Sequence, residues 1–217
     1  AIAKLHSGKA FPKSPSNFDL LEQISQGVKQ YFPNDRYVEA GISKISLLRS
    51  LLDCDSDQRP SHRDLHGFNV LYDGQQYYLI DWESAGNESL YFDLAVVINT
   101  LLFKILHIES TLLSAYFNSE STAEQLAKLK LMRIFAYLFY GFLLLYIGTS
   151  IQEERLNQDQ IEGLKTFSEF IEQQIELNQP LTAGQYLKCG YASFIAGLNQ
   201  FETTDTEKAI ELLSKAN

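Results

Sequence analysis

Apolar side chains return every three or four residues through most of this chain, a spacing that predicts helices. After a short opening helix, Ser7 to Ser16 carries Gly, Ser and two prolines and reads as a loop. Asn17 can cap a helix to about Phe32, with Leu20, Leu21, Ile24, Val28 and Tyr31 on one face. Pro33-Asn34-Asp35 stops it, and Tyr37 to Leu52 repeats the pattern with Val38, Ile42, Ile45, Leu48 and Leu52. Leu90 to His107 is so apolar that a buried helix is expected. Ser121 and Glu124 can box the start of a long helix or helix pair. Within it, Ile134 to Ile151 holds no charged residue and is long enough to span a bilayer. Gly141, Tyr137, Tyr140 and Tyr146 interrupt that run, so a central buried helix is expected and no membrane span. Asn157 to Glu176 reads as an amphipathic helix, Pro180 opens another, and Thr204 with Glu207 boxes a last one ending near Lys215.

One stretch breaks this rhythm. Val70-Leu71-Tyr72 and Tyr77-Tyr78-Leu79-Ile80 are β-rich runs flanking Asp73-Gly74, a dipeptide that favours a tight hairpin turn. The hairpin would bring its outer ends together and make Asn69 and Asp81 neighbours, with Asp64 on the loop entering it. Three side chains bearing hard oxygens would then converge at one end of a small sheet. Such oxygens suit Mg²⁺, which takes few protein ligands and shares the rest with phosphate and water. A carboxylate left free of the metal can take a proton from a hydroxyl.

Other readings fit some of these residues. His-x-Asp-x-His can ligate Zn²⁺, so His62, Asp64, His66 and Asp81 could form a hydrolase site. That reading leaves Asn69 and the hairpin without a part. His66 could equally be an ordinary hydrogen-bonded histidine and Arg63 a local ion-pair former. Glu83 could lie near the metal or a cationic substrate, or be solvated. Asp93 would be costly to bury unpaired, so hydrogen bonds to the loop before it are expected.

His62-Arg63-Asp64-Leu65-His66-Gly67-Phe68-Asn69, a hairpin, Ile80-Asp81-Trp82-Glu83 and then Phe92-Asp93-Leu94-Ala95 together resemble the aminoglycoside phosphotransferase and choline kinase group, relatives of protein kinases. The resemblance implies Asp64 as catalytic base and Asn69 and Asp81 as Mg²⁺ ligands, with ATP as co-substrate. It implies that His62 braces the loop and that Asp93 holds it from a helix start. The segment from Trp82 to Ser89 is short, unlike a protein kinase activation segment, which favours a small-molecule kinase. The run IDWESAGNESLYFDLA looks closest to choline, ethanolamine and thiamine kinases, so a small cationic amino-alcohol is the expected acceptor, with aminoglycosides or thiamine as alternatives. A non-catalytic pseudokinase or binding module is the other alternative. Choline needs aromatic faces around its ammonium. Trp82, Glu83, Tyr191 and Phe194 are therefore the candidate substrate contacts, with helix packing as the competing reading of the aromatics.

The opening Ala1-Ile2-Ala3-Lys4-Leu5-His6 reads as the inside of a helix and is similar to an LAxLH helix that relatives carry after the hinge between two lobes. The resemblance then implies that residues 1 to 217 form the C-terminal lobe of an α+β protein-kinase-like fold. It would be mainly α with a small β-hairpin, the N-terminal lobe being absent from this chain. The catalytic loop and metal hairpin would occupy 60 to 93, and a helical substrate-side subdomain about 94 to 217. Such a lobe alone would be inactive and prone to self-association through a bared apolar surface.

Composition narrows the classes. Hydrophobic residues make up 45% and charged residues 21%, an ordinary globular balance. A formal net charge of -9 with no basic patch argues against nucleic acid as a partner. Two cysteines, Cys54 and Cys189, lie too far apart in sequence for metal spacing and fit a reducing cytoplasm.

Overall fold

The computed structural model describes residues 1–152, 155–177 and 180–215. They form two compact units, one of Ala1–Ser16, Ser50–Arg133 and Thr204–Asn217, the other of Asn17–Arg49 and Ile134–Thr203.

The first unit holds all the β structure among the described residues. Strand β1 (Gln58–Ser61) pairs antiparallel with β4 (Gly86–Ser89), Gln58 opposite Ser89 and Ser61 opposite Gly86. Strand β2 (Val70–Tyr72) pairs with β3 (Tyr77–Leu79), Val70 opposite Leu79. The hairpin is as expected, but its turn spans Asp73 to Gln76, closed by the Asp73 amide on the Gln76 carbonyl at 3.3 Å. Asp73 also accepts the Gln75 and Gln76 amides and the Tyr78 hydroxyl, and these bonds pull its carboxyl below the usual range. The β1–β4 ribbon was not expected. Gln58–Ser61 shows no alternating apolar pattern, and Pro60 offers no amide; a ribbon with an open edge tolerates both.

Helix α1 (Ile2–His6) and helix α4 (Leu90–Thr100) both pack on β1, and α4 packs on α5 (Ile108–Phe117). Every residue of α4 is buried. The helix expected to reach His107 ends at Thr100, and Leu106 beyond it is 86% exposed. An apolar run does not by itself keep a helix going. Here the Leu101 and Leu102 amides both turn onto the Val97 carbonyl, and His107 enters α5 in the left-handed region at φ 56°. Asn99 then ties α4 to α6 (Ala123–Ile151), donating to the Arg133 carbonyl at 3.0 Å while Arg133 Nε donates back to Asn99 Oδ1 at 2.9 Å. Arg133 also pairs with Glu109 of α5. Helix α10 (Thr204–Ser214) completes the unit.

The second unit is helical: α2 (Asn17–Tyr31), most of α3 (Arg36–Leu52), the later part of α6, α7 (Gln158–Glu162), α8 (Phe167–Leu177) and α9 (Ala183–Phe201). Asp35 caps α3 by accepting the Tyr37 and Val38 amides. The expected single helix from Asn157 to Glu176 is two, each with its own start: Asn157 and Gln160 box α7, and Thr166 bonds reciprocally with Glu169 at α8. Helix α6 is one helix, opened by Thr122 with Gln125, one residue later than the Ser121–Glu124 pair. It is the one described helix long and apolar enough to cross a membrane, and 56% of its most apolar stretch is buried inside the protein. Gly141 in that stretch makes room for a ring: a Cβ there would lie 3.0 Å from Phe194.

Candidate active site

Every candidate for chemistry between His62 and Asp93 lies in the first unit. Where β1 ends, the chain turns sharply, with Arg63 in the left-handed region at φ 67°. For a residue with a Cβ that conformation costs roughly 1–3 kcal/mol and needs outside support. Asp93 supplies it from the first turn of α4. Its Oδ2 accepts the His62 amide at 2.8 Å and its Oδ1 accepts the Arg63 amide at 2.9 Å. Two successive amides thus converge on one fully buried carboxylate.

Below this anchor Asp64 is half-buried, and its carbonyl accepts the His66 amide at 3.0 Å. Asn69 closes the loop from the other side. Its Nδ2 donates to the Asp64 carbonyl at 2.8 Å and lies 3.2 Å from Asp64 Oδ2. His66 takes the Phe68 amide on Nδ1, and its Nε2 lies 3.4 Å from both Asp64 Oδ2 and Asn69 Nδ2. That makes His66 a local hydrogen-bonding histidine.

The hairpin register puts Ile80, not Asp81, opposite Asn69: the Ile80 amide donates to the Asn69 carbonyl at 3.1 Å. The Ile80 carbonyl in turn accepts His62 Nε2 at 2.8 Å. Ile80 is thus held at both its amide and its carbonyl by the Asp64 loop, and Asp81 follows it, exposed and left-handed at φ 63°. His62 is wholly buried with its ring 4.7 Å from that of Trp82, whose indole donates to the Leu79 carbonyl.

The donor chemistry here fits a hard divalent cation. With Nδ2 of Asn69 committed to Asp64, the oxygen of the same carboxamide is the atom left to face a ligand. Asp81 adds an exposed carboxylate next along the hairpin. Among the described residues no group of three or more His, Cys, Asp or Glu could hold a metal, and the zinc-hydrolase set is not assembled.

Arg63 and Glu88 are buried side by side, Nε to Oε2 at 3.9 Å. Burial lowers the guanidinium pKa, with Glu88 and Asp93 opposing. Gly86 leaves the space: a Cβ there would lie 2.7 Å from Arg63 Nη1 and 2.9 Å from Ser14 Oγ. His6 Nε2 lies 3.1 Å from Asp93 Oδ2 and the Tyr116 hydroxyl 2.8 Å from His6 Nδ1; these two residues and Glu88 escape a reading of the sequence, because no spacing rule joins residue 6 to residue 93 or residue 63 to residue 88.

Of the candidate substrate contacts, Glu83 and Trp82 are exposed beside Asp81. Tyr191 and Phe194 belong to the second unit and are buried in its own core. The Tyr191 hydroxyl donates to Asp35 Oδ2 at 2.7 Å, and Phe194 meets Phe142 edge-on at 4.7 Å. Both rings are packing residues, and neither presents a face to solvent.

Similar folds occur among solved structures. A choline/ethanolamine kinase family protein of Mesorhizobium loti matches with a TM-score of 0.69 at 16% identity, over 98% of this chain and 63% of that one. Choline kinase from Cryptosporidium parvum matches with 0.62 at 14%, over 98% of this chain and 66% of that one. Choline kinase LicA from Streptococcus pneumoniae matches with 0.55 at 17%, over 91% and 60%. This chain therefore spans between 60% and 66% of these structures' lengths. No curated protein sequence matches. Residues 1–127, more than half of the chain, match the profile of the phosphotransferase enzyme family, and they include the whole anchored loop and hairpin. The chain belongs to the phosphotransferase enzyme family, on a mainly helical fold like that of the choline kinases.

Proposed function

We propose that the protein carrying this chain moves the γ-phosphoryl group of ATP onto a hydroxyl of a small cationic amino-alcohol such as choline or ethanolamine. The observation that carries the reading is the bracing of Asp64 by Asn69, with Asp81 one residue beyond Ile80, which is held at both its amide and its carbonyl. Asn69 Oδ1 and the Asp81 carboxylate would hold Mg²⁺ against the phosphates; the ion would neutralise charge as the phosphoryl group moves. Asp64 orients the acceptor hydroxyl and takes its proton as that oxygen bonds to phosphorus and the bond to ADP breaks. Asn69 keeps the Asp64 carboxylate in place while this happens. Trp82 and Glu83, exposed beside Asp81, would supply the ring and the charge that meet a cation. The apolar side chains bared on the hairpin, Leu71, Tyr72 and Tyr77, would face the nucleotide base or, uncovered, promote self-association. A cytoplasmic site of action follows from the need for ATP.

The test is a screen of the full-length natural protein with Mg-ATP against choline, ethanolamine, thiamine, an aminoglycoside and a neutral sugar, read as phosphorylated product. Preference for the amino-alcohols supports the proposal. Thiamine or the aminoglycoside as best substrate moves the acceptor within the family, and nucleotide binding without product points to a non-catalytic binding module.

A further inference from the structure

We propose that His6 is a positioning residue for the catalytic loop, acting through Asp93; its effect on turnover rests on the phosphotransferase reading above. Asp93 has no exposed surface, and a buried carboxylate must be met by donors. The described structure gives it three: the amides of His62 and Arg63 and, from α1, the ring of His6, whose Nε2 lies 3.1 Å from Asp93 Oδ2. His6 is the one side chain among them, and it reaches across 87 residues of sequence.

The ring is itself held. His6 is buried, and its Nδ1 lies 2.8 Å from the hydroxyl of Tyr116, at the end of α5. Burial raises the Tyr116 pKa, partly offset by Arg59, so the hydroxyl keeps its proton at neutral pH and can donate to Nδ1. A neutral His6 then carries its own proton on Nε2, where Asp93 accepts it. The chain of contacts runs Tyr116, His6, Asp93, then the two amides that hold Arg63 at φ 67°.

Removing the His6 donor leaves Oδ2 of a buried carboxylate with one partner fewer. The carboxylate would turn or take up a proton, and its grip on the His62 and Arg63 amides would loosen. Asp64 follows Arg63 directly, so its carboxylate would wander from the acceptor. Small displacements of this kind act on the chemical step more than on nucleotide affinity.

The experiment uses the full-length natural protein and three variants: H6L, which removes both ring nitrogens; H6Q, whose amide can still donate to Asp93; and Y116F. Hydrogen exchange at the Arg63 amide is compared with that of Val97 in mid-α4, alongside kcat and KM for ATP. H6L should speed exchange at Arg63 by about tenfold or more relative to Val97. It should lower kcat by about tenfold or more while KM for ATP moves less than about threefold. H6Q should recover most of both losses, which a purely space-filling role would not give. Native-like exchange and kcat in H6L, or equal losses in H6L and H6Q, would overturn the proposal. If H6L does not fold, Y116F decides: Arg63 exchange no faster than in the native protein overturns it, and faster exchange supports it. If the native protein transfers no phosphoryl group, the functional reading falls, while exchange still judges His6.

Discussion

Asn69 reaches back five residues to place its carboxamide nitrogen 2.8 Å from the carbonyl of Asp64 and 3.2 Å from its Oδ2. The bond to the carbonyl fixes the loop, and the contact with Oδ2 aims the carboxylate. It also decides which end of the carboxamide is left for a ligand. One side chain thereby sets both the Asp64 carboxylate and the free carboxamide oxygen.

Asp64→Asn should lower turnover by about 10²-fold or more, the usual scale for a lost acid–base group. The carboxamide oxygen introduced by that change can still meet Asn69, so the thermal midpoint should stay near native. Steady-state rates with a melting curve check this; turnover within a few fold of native would remove Asp64 from the role of base.

Asp81 poses a backbone question as well as a charge question. At φ 63° Asn is tolerated and Ala is strained. Asp81→Asn should therefore abolish Mg²⁺-dependent nucleotide binding with the fold intact, whereas Asp81→Ala should lose the binding and some stability too. Calorimetric titration of Mg-ATP, with circular dichroism alongside, reads both. Native affinity in Asp81→Asn would exclude Asp81 as a ligand.

Gly86→Ala tests the buried Arg63–Glu88 post. Its methyl would come within 2.7 Å of Arg63 Nη1 in a place where the guanidinium has no solvent to retreat into. Crowding of this kind costs about 1–3 kcal/mol. Denaturant unfolding should show that loss, and the Arg63 amide should exchange faster. An unchanged midpoint would mean that the post yields freely.

The two thiols should differ in reactivity. Burial favours the neutral form of Cys189 and pushes its pKa up to about 12, so below that pH the folded protein keeps it as an inert thiol. Cys54 is partly exposed. A thiol reagent at pH 8 should label one cysteine quickly in the native protein and both in denaturant. Rapid native labelling at Cys189 would show that the second unit opens.

Helix positions were largely legible because an amphipathic face repeats locally. Asn17–Tyr31 and Arg36–Leu52 fall within a residue of the expected limits. The ends decided by capping chemistry or by a distant partner were not. Thr122 rather than Ser121 opens α6, and α4 stops at Thr100 although the sequence stays apolar to Leu106. The β1–β4 ribbon was missed because its partners lie 25 to 31 residues apart and carry no apolar alternation.

What the sequence determined alone is the local chemistry: the order of Asp64, Asn69, Asp81 and Asp93, and a hairpin that returns Asp81 towards Asn69. A turn with strands on both sides specifies its own closure, so no distant information is needed. Only the tertiary structure decided how that chemistry is held. His6 reaches Asp93, Tyr116 reaches His6 and Glu88 reaches Arg63 because α1 packs on β1 and α4, α5 packs on α4 and β4 pairs with β1, while the rings of Tyr191 and Phe194 fill the core of the second unit. A buried carboxylate or guanidinium recruits partners by proximity in space. Spacing along the chain carries no trace of that proximity.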